Sequence, residues 1–336
     1  TLLSNNNILC LEEDLENRLW IGTDKGLNVL LRKTGEIKQI KRIEFINNSI
    51  SALRSTRNGK LFIGTDQGLF CYDYNTDSCT LYNRQNTNGI FPETPVKSLL
   101  EDSHGHLWIG TWNQGLFRYD LAKNRFYAYP RMLPKSAHVI FEDSKKRIWI
   151  GTWGSGLYVL ENAYDPDNVR WKSFSHENGN AKSLPHDIIY SISEDINSRN
   201  IWIGTSLGLS ILNDESKGTF TNFYPSEKDE TISDAEVTSL LCDKQGMMWI
   251  GMLRGGVNTV STRKPFFKSY PMKGLKQEFK TQTVSCILID KDNQTLWMVI
   301  GTSGLIKYNL HNHTWQKIPK EKYFPSESRI PSIIKM

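Results

Sequence analysis

The chain consists of short runs of apolar and polar residues, separated by clusters of Gly, Asn, Asp and Ser. The clearest set of runs lies at 96–102, 107–111, 116–120 and 125–129, with a turn between each pair. β-Branched and aromatic residues dominate these runs, as expected of short antiparallel strands. No segment keeps a helical apolar period, so the pattern predicts an all-β protein.

The tetrapeptide Trp-Ile-Gly-Thr recurs along the chain. Complete copies begin at positions 20, 108, 149 and 202, and degenerate copies begin at Phe62, Trp249 and Trp297. Neighbouring copies are 41 (108 to 149) to 53 (149 to 202) residues apart, the spacing of a repeated four-stranded unit. With strands designated A to D in each unit, the seven copies predict a seven-bladed β-propeller of four-stranded antiparallel blades. A β-solenoid is the alternative, but its repeats are shorter and lack such paired turns.

The repeats divide residues 1–329 into predicted blades at 7–46, 47–94, 95–135, 136–185, 186–234, 235–281 and 282–329. The last segment, 330–336, resembles the start of another strand A, so it either begins a following repeat or closes the ring. We favour a following repeat, because all seven units already have four strands. No signal peptide precedes Thr1, which we interpret as the start of a mature or trimmed fragment.

Composition narrows the function classes. The net charge of +5 is small for 336 residues and its Lys and Arg are not clustered, so nucleic acid is not a predicted partner. No apolar run approaches the roughly 18 residues that cross a bilayer. Phosphate-binding, nucleophile-elbow and zinc-protease motifs are missing, so we predict no cofactor and no catalytic residue. The pairs His104/His106 and His311/His313 lack a third ligand, and no metal site is predicted.

The cysteines fall into two groups. Cys10, Cys242 and Cys286 lie in apolar runs and are expected to be small buried residues. Cys71 and Cys79 flank a predicted hairpin turn. A disulfide between them would suit an oxidising compartment, and two unpaired thiols are the alternative.

The third repeat has the pattern Asp-x-x-Gly-x-Leu-Trp-Ile-Gly-Thr, followed by Gly-Leu and Tyr-Asp. Its residues are Asp102, Gly105, 107–111, 115–116 and 119–120, and the first, fourth and fifth repeats keep most of them. This pattern resembles the two-component regulator propeller repeat, and the resemblance spans essentially the whole chain. The sixth repeat lacks the threonine, and the seventh has extra residues after its tryptophan; both are interpreted as local bulges.

The resemblance implies the N-terminal sensor propeller of a Bacteroidetes hybrid two-component system. Members of that family carry a second propeller, an immunoglobulin-like domain, a membrane span and cytoplasmic kinase and regulator modules. By this resemblance the chain is a non-enzymatic periplasmic part of an inner-membrane protein that acts as a homodimer. Its partners would be an oligosaccharide or another small molecule, together with the other domains of the same protein.

Candidate binding residues follow each motif, where the B–C loops stop repeating. Loops on a rigid scaffold commonly carry function. Trp112 and Trp153 occupy the same loop position in adjacent blades, and such rings suit the apolar faces of sugars. Asn113, Gln114 and Arg254 in these loops, with His186 in a D–A loop, are predicted to bind hydroxyl or carboxylate groups. The alternative for both tryptophans is packing between blades.

Three functions are compatible with this pattern. The first is a sensor that binds oligosaccharides from polysaccharide breakdown and signals through rearrangement of a dimer. The second is a propeller that only spaces or dimerises the receptor. The third is a propeller glycoside hydrolase or lyase, which would need convergent carboxylates or arginines that few of the loops supply.

Overall fold

The computed structural model describes residues 3–129, 136–226, 231–262, 267–269, 284–289, 295–300, 304–311 and 314–318. These residues form 28 strands in seven four-stranded antiparallel sheets, each built from four consecutive strands. No helix occurs within the described ranges. The predicted all-β, seven-bladed propeller is therefore confirmed.

The first four blades contain strands β1 to β16, four to each blade. Their bounds are β1 (Ile8–Glu13), β2 (Arg18–Thr23), β3 (Gly26–Leu31), β4 (Glu36–Gln39); β5 (Ile50–Ser55), β6 (Leu61–Thr65), β7 (Gly68–Asp73), β8 (Ser78–Tyr82); β9 (Val96–Glu101), β10 (His106–Thr111), β11 (Leu116–Asp120), β12 (Arg125–Ala128); and β13 (Val139–Glu142), β14 (Ile148–Gly151), β15 (Leu157–Glu161), β16 (Arg170–Phe174).

The last three blades contain β17 to β28 in the same order. Their bounds are β17 (Ile189–Glu194), β18 (Ile201–Thr205), β19 (Gly208–Asp214), β20 (Thr219–Phe223); β21 (Val237–Cys242), β22 (Met247–Met252), β23 (Val257–Ser261), β24 (Phe267–Ser269); and β25 (Val284–Ile289), β26 (Thr295–Ile300), β27 (Gly304–Asn309), β28 (Thr314–Lys317). The predicted blade limits stay predictions, and segment 330–336 lies outside the described residues.

The tryptophan of each motif packs between blades. Trp108 is fully buried and shares a core cluster with Ile140 and Ile150 of the next blade. Trp149 does the same with Ile189 and Ile203. Large aromatic rings bury the most apolar area per residue, so these contacts join adjacent sheets into one body.

The indole N–H of the motif has its own partner at the A–B turn. In four blades it donates to the aspartate six residues earlier, at 2.8 Å for Trp20–Asp14 and Trp108–Asp102, 2.9 Å for Trp149–Asp143 and 3.0 Å for Trp249–Asp243. The other carboxylate oxygen accepts turn N–H groups, as when Asp102 Oδ1 binds the amides of His104 and His106. One aspartate thus fixes both the A–B turn and the tryptophan that packs between blades.

Three blades depart from this pairing. In blade 7, Trp297 Nε1 is buried without a hydrogen-bond partner among the described residues. Blade 2 has Thr56 and Phe62 in place of the aspartate and the tryptophan, so it lacks the indole donor as well as the carboxylate. In blade 5 the turn is one residue longer, and Asp195 accepts Ser198 Oγ instead. Trp202 Nε1 is consequently buried without a partner in the described part of the chain.

The glycine and threonine of the motif serve the close approach of adjacent blades and the B–C loop. A Cβ on Gly110 would lie 2.3 Å from the carbonyl oxygen of Ala137 in the next blade, so only glycine fits there. Thr111 Oγ1 donates to the Gly115 carbonyl at 2.8 Å and accepts the Gln114 amide at 3.0 Å. The threonine therefore closes the loop that follows it.

A glutamate at the end of strand A links adjacent blades at the A–B turns. Glu142 accepts the amide (2.8 Å) and the hydroxyl (2.7 Å) of Ser103 in the preceding blade. Glu194 holds Ser144 in the same way, at 3.0 and 2.7 Å. These carboxylates add a polar connection to the apolar contact between sheets.

The two hairpin cysteines are not disulfide-bonded. Cys71 pairs with Thr80 and Cys79 pairs with Tyr72, so the two thiols are on opposite faces of the sheet. Burial raises the pKa of Cys79 to about 12, which keeps it as an unreactive thiol. Cys10 is buried as predicted, whereas Cys242 is only partly buried; the Cys286 side chain is outside the described set.

Candidate ligand-binding face

The residue after each motif is held in equivalent geometry from blade to blade. Its backbone N–H donates to the carbonyl of the residue that leads into strand A of the same blade, as in Trp112 to Pro95 (3.0 Å) and Ser206 to Ile188 (3.2 Å). Trp153 instead donates to Ser136 Oγ at 3.1 Å. We call this loop position 1, and its described members are Asp24, Asp66, Trp112, Trp153, Ser206 and Leu253.

A second set of side chains comes from a bulge in strand A. The pairing of strands A and B skips the strand A residue between the partners of the motif glycine and threonine, which leaves that residue outside the ladder. Such a bulge re-aims a side chain. The bulge residues are Leu9, Ser51, Lys97, Tyr190 and Thr238, and the backbone of β25 has the same register shift at Ser285. His138 precedes β13 at the same position in blade 4, where its amide donates to the Gly151 carbonyl.

The two sets meet in blades 3 to 5 as one aromatic patch, which we define as Trp112, His138, Trp153 and Tyr190. The ring centroids of Trp112 and Trp153 are 5.6 Å apart. Trp153 also lies 5.1 Å from His138 and 5.7 Å from Tyr190. Trp112 is 40% exposed and Trp153 42% exposed, so both rings contact their neighbours and still present area to solvent.

Charged groups border the aromatic patch. Lys97 Nζ lies 6.0 Å from the Trp112 ring centroid and 3.0 Å from Asp66 Oδ1. At the other end Tyr190 donates its hydroxyl to Glu236 Oε2 at 3.4 Å. Burial, followed by the charge of Glu236, raises the pKa of Tyr190, so its hydroxyl stays protonated as a donor.

The blade 4 loop is tied to the entrance of blade 5. The amides of Gly154 and Gly156 both donate to the Asp187 carbonyl, at 3.1 and 2.9 Å. Trp153 forms an isolated β-bridge with Ile188. The backbone beneath Trp153 is therefore fixed, and a ligand would not have to order it.

Asn113 and Gln114 are exposed beside Trp112. Asn113 Oδ1 accepts the hydroxyl of Thr94 at 2.8 Å, which orients its amide. The backbone N–H of Gln114 donates to Thr111 Oγ1, as described above. These two side chains are adjacent to the patch in sequence and share its loop.

Arg254 and His186 are placed differently from the tryptophans. Arg254 is exposed in blade 6, two blades from Trp153, and its amide donates to Asp234 Oδ2 at 2.7 Å. His186 Nδ1 lies 2.7 Å from Ser206 Oγ and 3.1 Å from the Ile188 amide. The imidazole thus connects the D–A and B–C loops of blade 5. The structure brings Trp112 and Trp153 together, but neither Arg254 nor His186 is part of the aromatic patch.

Lys97, His138 and Tyr190 are not among the predicted binding residues. Each comes directly before the strand A residue that pairs with the motif glycine, and this position varies from blade to blade. Among the described residues, no group of three His, Cys, Asp or Glu side chains is arranged to hold a metal ion. The described ranges also contain no helix long and apolar enough to span a membrane.

The model of the "Two component regulator propeller" family matches residues 2–25, 90–113, 132–154, 183–206 and 231–254. Each match contains strands A and B and ends in the B–C loop. No curated protein sequence matches the chain.

Three solved structures show the same fold. Extracellular domains of two hybrid two-component systems from B. thetaiotaomicron are 22% and 20% identical, with TM-scores of 0.54 and 0.56. The matches cover 98% and 94% of this chain but 50% and 53% of those chains, so this chain spans about half their length. Virginiamycin B lyase from Staphylococcus aureus is 13% identical with a TM-score of 0.65, covering 89% of this chain and 94% of that chain.

These likenesses at low identity establish the propeller fold. The five matched segments show that this seven-bladed propeller contains two-component regulator propeller repeats.

Proposed function

We propose that this propeller is the extracytoplasmic ligand-sensing part of a membrane-bound hybrid two-component sensor. The family repeats and the fold shared with two such ectodomains support this role. The aromatic patch is the observation that carries it. Solvent-exposed adjacent tryptophans on a fixed backbone favour binding over a purely structural use.

The ligand of the patch is an oligosaccharide. Trp112 and Trp153 meet at an interplanar angle of 56°, which offers two ring faces to successive sugar units. Asn113, Gln114 and Lys97 lie at its border and supply hydrogen-bond donors for hydroxyl groups. Lys97 is paired with Asp66, so its charge is largely balanced, and the site is suited to an uncharged glycan.

Signalling follows from rearrangement of a homodimer of the full receptor, coupled to a cytoplasmic histidine kinase. The alternative is a propeller that spaces or dimerises the receptor while another domain contacts the ligand. The fold shared with virginiamycin B lyase makes a lyase or hydrolase the third candidate. We favour a non-enzymatic role, because the patch is aromatic rather than lined by convergent carboxylates.

Calorimetry of the chain against a panel of neutral, uronic and sulfated oligosaccharides tests the proposal. We expect one neutral glycan to bind, with about tenfold or greater loss in Trp112→Ala and in Trp153→Ala, as stacked aromatic anchors require. Leu207→Ala is the matched control, since Leu207 is an exposed B–C loop residue of blade 5 outside the patch. Binding by the complete ectodomain but not by this chain would favour the scaffold, and cleavage of the glycan would favour an enzyme.

A further inference from the structure

A cavity of about 370 Å³ lies between blade 7 and blade 1, where the ring closes. Its lining is mainly aliphatic, including Leu11, Leu19 and Leu30, with Trp297 of blade 7 at one side. Arg32, Lys307 and Gln316 contribute its polar groups. It is separate from the aromatic patch of blades 3 to 5.

Comparison with the interface of blades 1 and 2 explains the cavity. There, Trp20 is covered by Tyr72 at 6.1 Å and Tyr74 at 5.4 Å between ring centroids. Counted from the first glycine of strand C, the residues of blade 1 at these positions are Leu30 and Arg32. Trp297 therefore faces one aliphatic and one linear side chain where Trp20 meets two aromatic rings.

A third ring is also replaced. Phe45 lies five residues before strand A of blade 2 and is fully buried against Phe70 and Tyr72. The equivalent residue before β1 is Leu3, which lines the cavity. Protein interiors are close-packed, so the loss of three rings at one interface leaves space of the order of a small ligand.

The polar groups of the cavity are unevenly satisfied. Arg32 Nη1 donates to Glu13 Oε1 at 3.0 Å. Arg32 Nε and Nη2 are buried and have no hydrogen-bond partner in the described part of the chain. These two N–H groups form the side-on fork of the guanidinium, which matches both oxygens of one carboxylate. Leaving such donors unpaired is unfavourable, and a bound acceptor would recover that free energy.

The charges around the cavity favour an anion. Arg32 and Lys307 carry two positive charges and Glu13 carries one negative charge, which leaves an excess of one positive charge. Lys307 Nζ lies 5.7 Å from the Trp297 ring centroid, so this charge is held beside the aromatic wall. A cavity of about 150 Å³ admits benzene. The larger volume here accommodates one ring with a short acid chain.

We propose that the cavity between blades 7 and 1 binds a small monocarboxylate with an apolar ring or chain. The apolar part packs on Trp297 and the leucines. The carboxylate accepts both free N–H groups of Arg32 once that side chain turns toward the cavity, since protein atoms cover both nitrogens in this structure. Such a ligand contacts both blades at the closure of the ring, so it stabilises the folded propeller by mass action. The site is independent of saccharide binding at the aromatic patch.

Phenylacetate is the probe, and 2-phenylethanol, which has the same ring without the charge, is its control. We expect phenylacetate to raise the thermal unfolding midpoint and to give a calorimetric isotherm, with a much weaker effect of the alcohol. Arg32→Met keeps the linear side chain and should weaken phenylacetate binding about tenfold by removing the fork. Lys33→Met, at the adjacent exposed lysine, should leave binding unchanged.

Leu30→Tyr restores the ring found in blade 2 and should abolish binding while the protein stays folded. It also serves if Arg32→Met does not fold. The proposal is overturned if phenylacetate does not bind, if the alcohol binds equally well, or if binding survives Leu30→Tyr.

Discussion

The carboxylate of Asp243 accepts the indole N–H of Trp249 at 3.0 Å across the A–B hairpin of blade 6. The same carboxylate accepts the amides of Gln245 and Met247 at 2.9 and 2.8 Å. Blade 2 has neither partner of this pair and has Thr56 and Phe62 instead. In blades 1, 3, 4 and 6 the two positions therefore act as one unit.

We expect Asp243→Thr to destabilise the protein by about 2–4 kcal/mol, because it leaves a buried indole N–H and turn amides without their acceptor. The double variant Asp243→Thr/Trp249→Phe should cost less than the sum of its single variants, by about 0.5–3 kcal/mol. Urea unfolding of all four proteins measures this coupling. Strictly additive costs would show that the two residues act separately.

Glu12 predicts a pH dependence of stability. Its carboxylate accepts the Ser55 amide at 2.9 Å and lies 3.5 Å from Arg54 Nη1. Burial raises the pKa of Glu12 to about 7, above the ordinary value of 4.5. The folded state then holds the proton more tightly than the unfolded state. The stabilisation is complete below pH 4.5 and is lost as the pH rises through about 7.

Glu12→Gln removes this titration. We expect the unfolding free energy of the wild type, relative to Glu12→Gln, to rise by about 2–3 kcal/mol between about pH 8 and about pH 5. Denaturant titrations of both proteins across this range measure it. Parallel pH profiles would mean that Glu12 does not titrate in this window.

The two kinds of tryptophan should differ in their effect on stability. Trp108 is fully buried between blades, so Trp108→Ala should cost about 3–5 kcal/mol through the cavity it leaves. Trp153 is 42% exposed, and Trp153→Ala should cost about 1–2 kcal/mol. Chemical unfolding compares the two variants. Equal costs would assign Trp153 to the structural core instead of a binding surface.

The glutamate link between blades 3 and 4 should protect the A–B turn of blade 3. Glu142→Gln weakens the acceptor for the Ser103 amide and hydroxyl, and we expect a loss of about 1–2 kcal/mol. Faster hydrogen exchange of the Ser103 amide should accompany it. Glu161→Gln, at an exposed strand end of blade 4, is the control. Unchanged exchange at Ser103 would contradict the link.

The scaffold could be predicted from the sequence because the same motif recurs seven times along the chain. Each motif copy is surrounded by the same order of strands and turns, so a strand that is ambiguous in one blade can be assigned from the other blades. The wedge role of Trp108 and the close approach at Gly110 followed from residue type alone. The indole–aspartate bond did not, since it depends on how the hairpin folds back over six residues.

The candidate ligand-binding face could be predicted from the sequence only in part. Trp112 and Trp153 were found because they break a repeat at a shared loop position. Lys97 and Tyr190 lie near the tryptophans because of a bulge in strand A, and no residue type in the sequence predicts such a bulge. Arg254 was grouped with the tryptophans because it also lies in a B–C loop, and the sequence alone does not show how far apart these loops lie around the propeller. In the structure Arg254 is two blades from Trp153.

Strand A connects the two faces of each blade as a single rod. In blade 5 it begins beside the aromatic patch with Tyr190 and ends at Glu194, which holds Ser144 of blade 4. Tyr190 and Glu194 are four residues apart along this strand, or about 13 Å. If a sugar binds at the aromatic patch as proposed, it contacts a strand whose other end is hydrogen-bonded to the turn of a different blade. One strand thus connects the candidate ligand-binding face with the opposite face of the neighbouring blade.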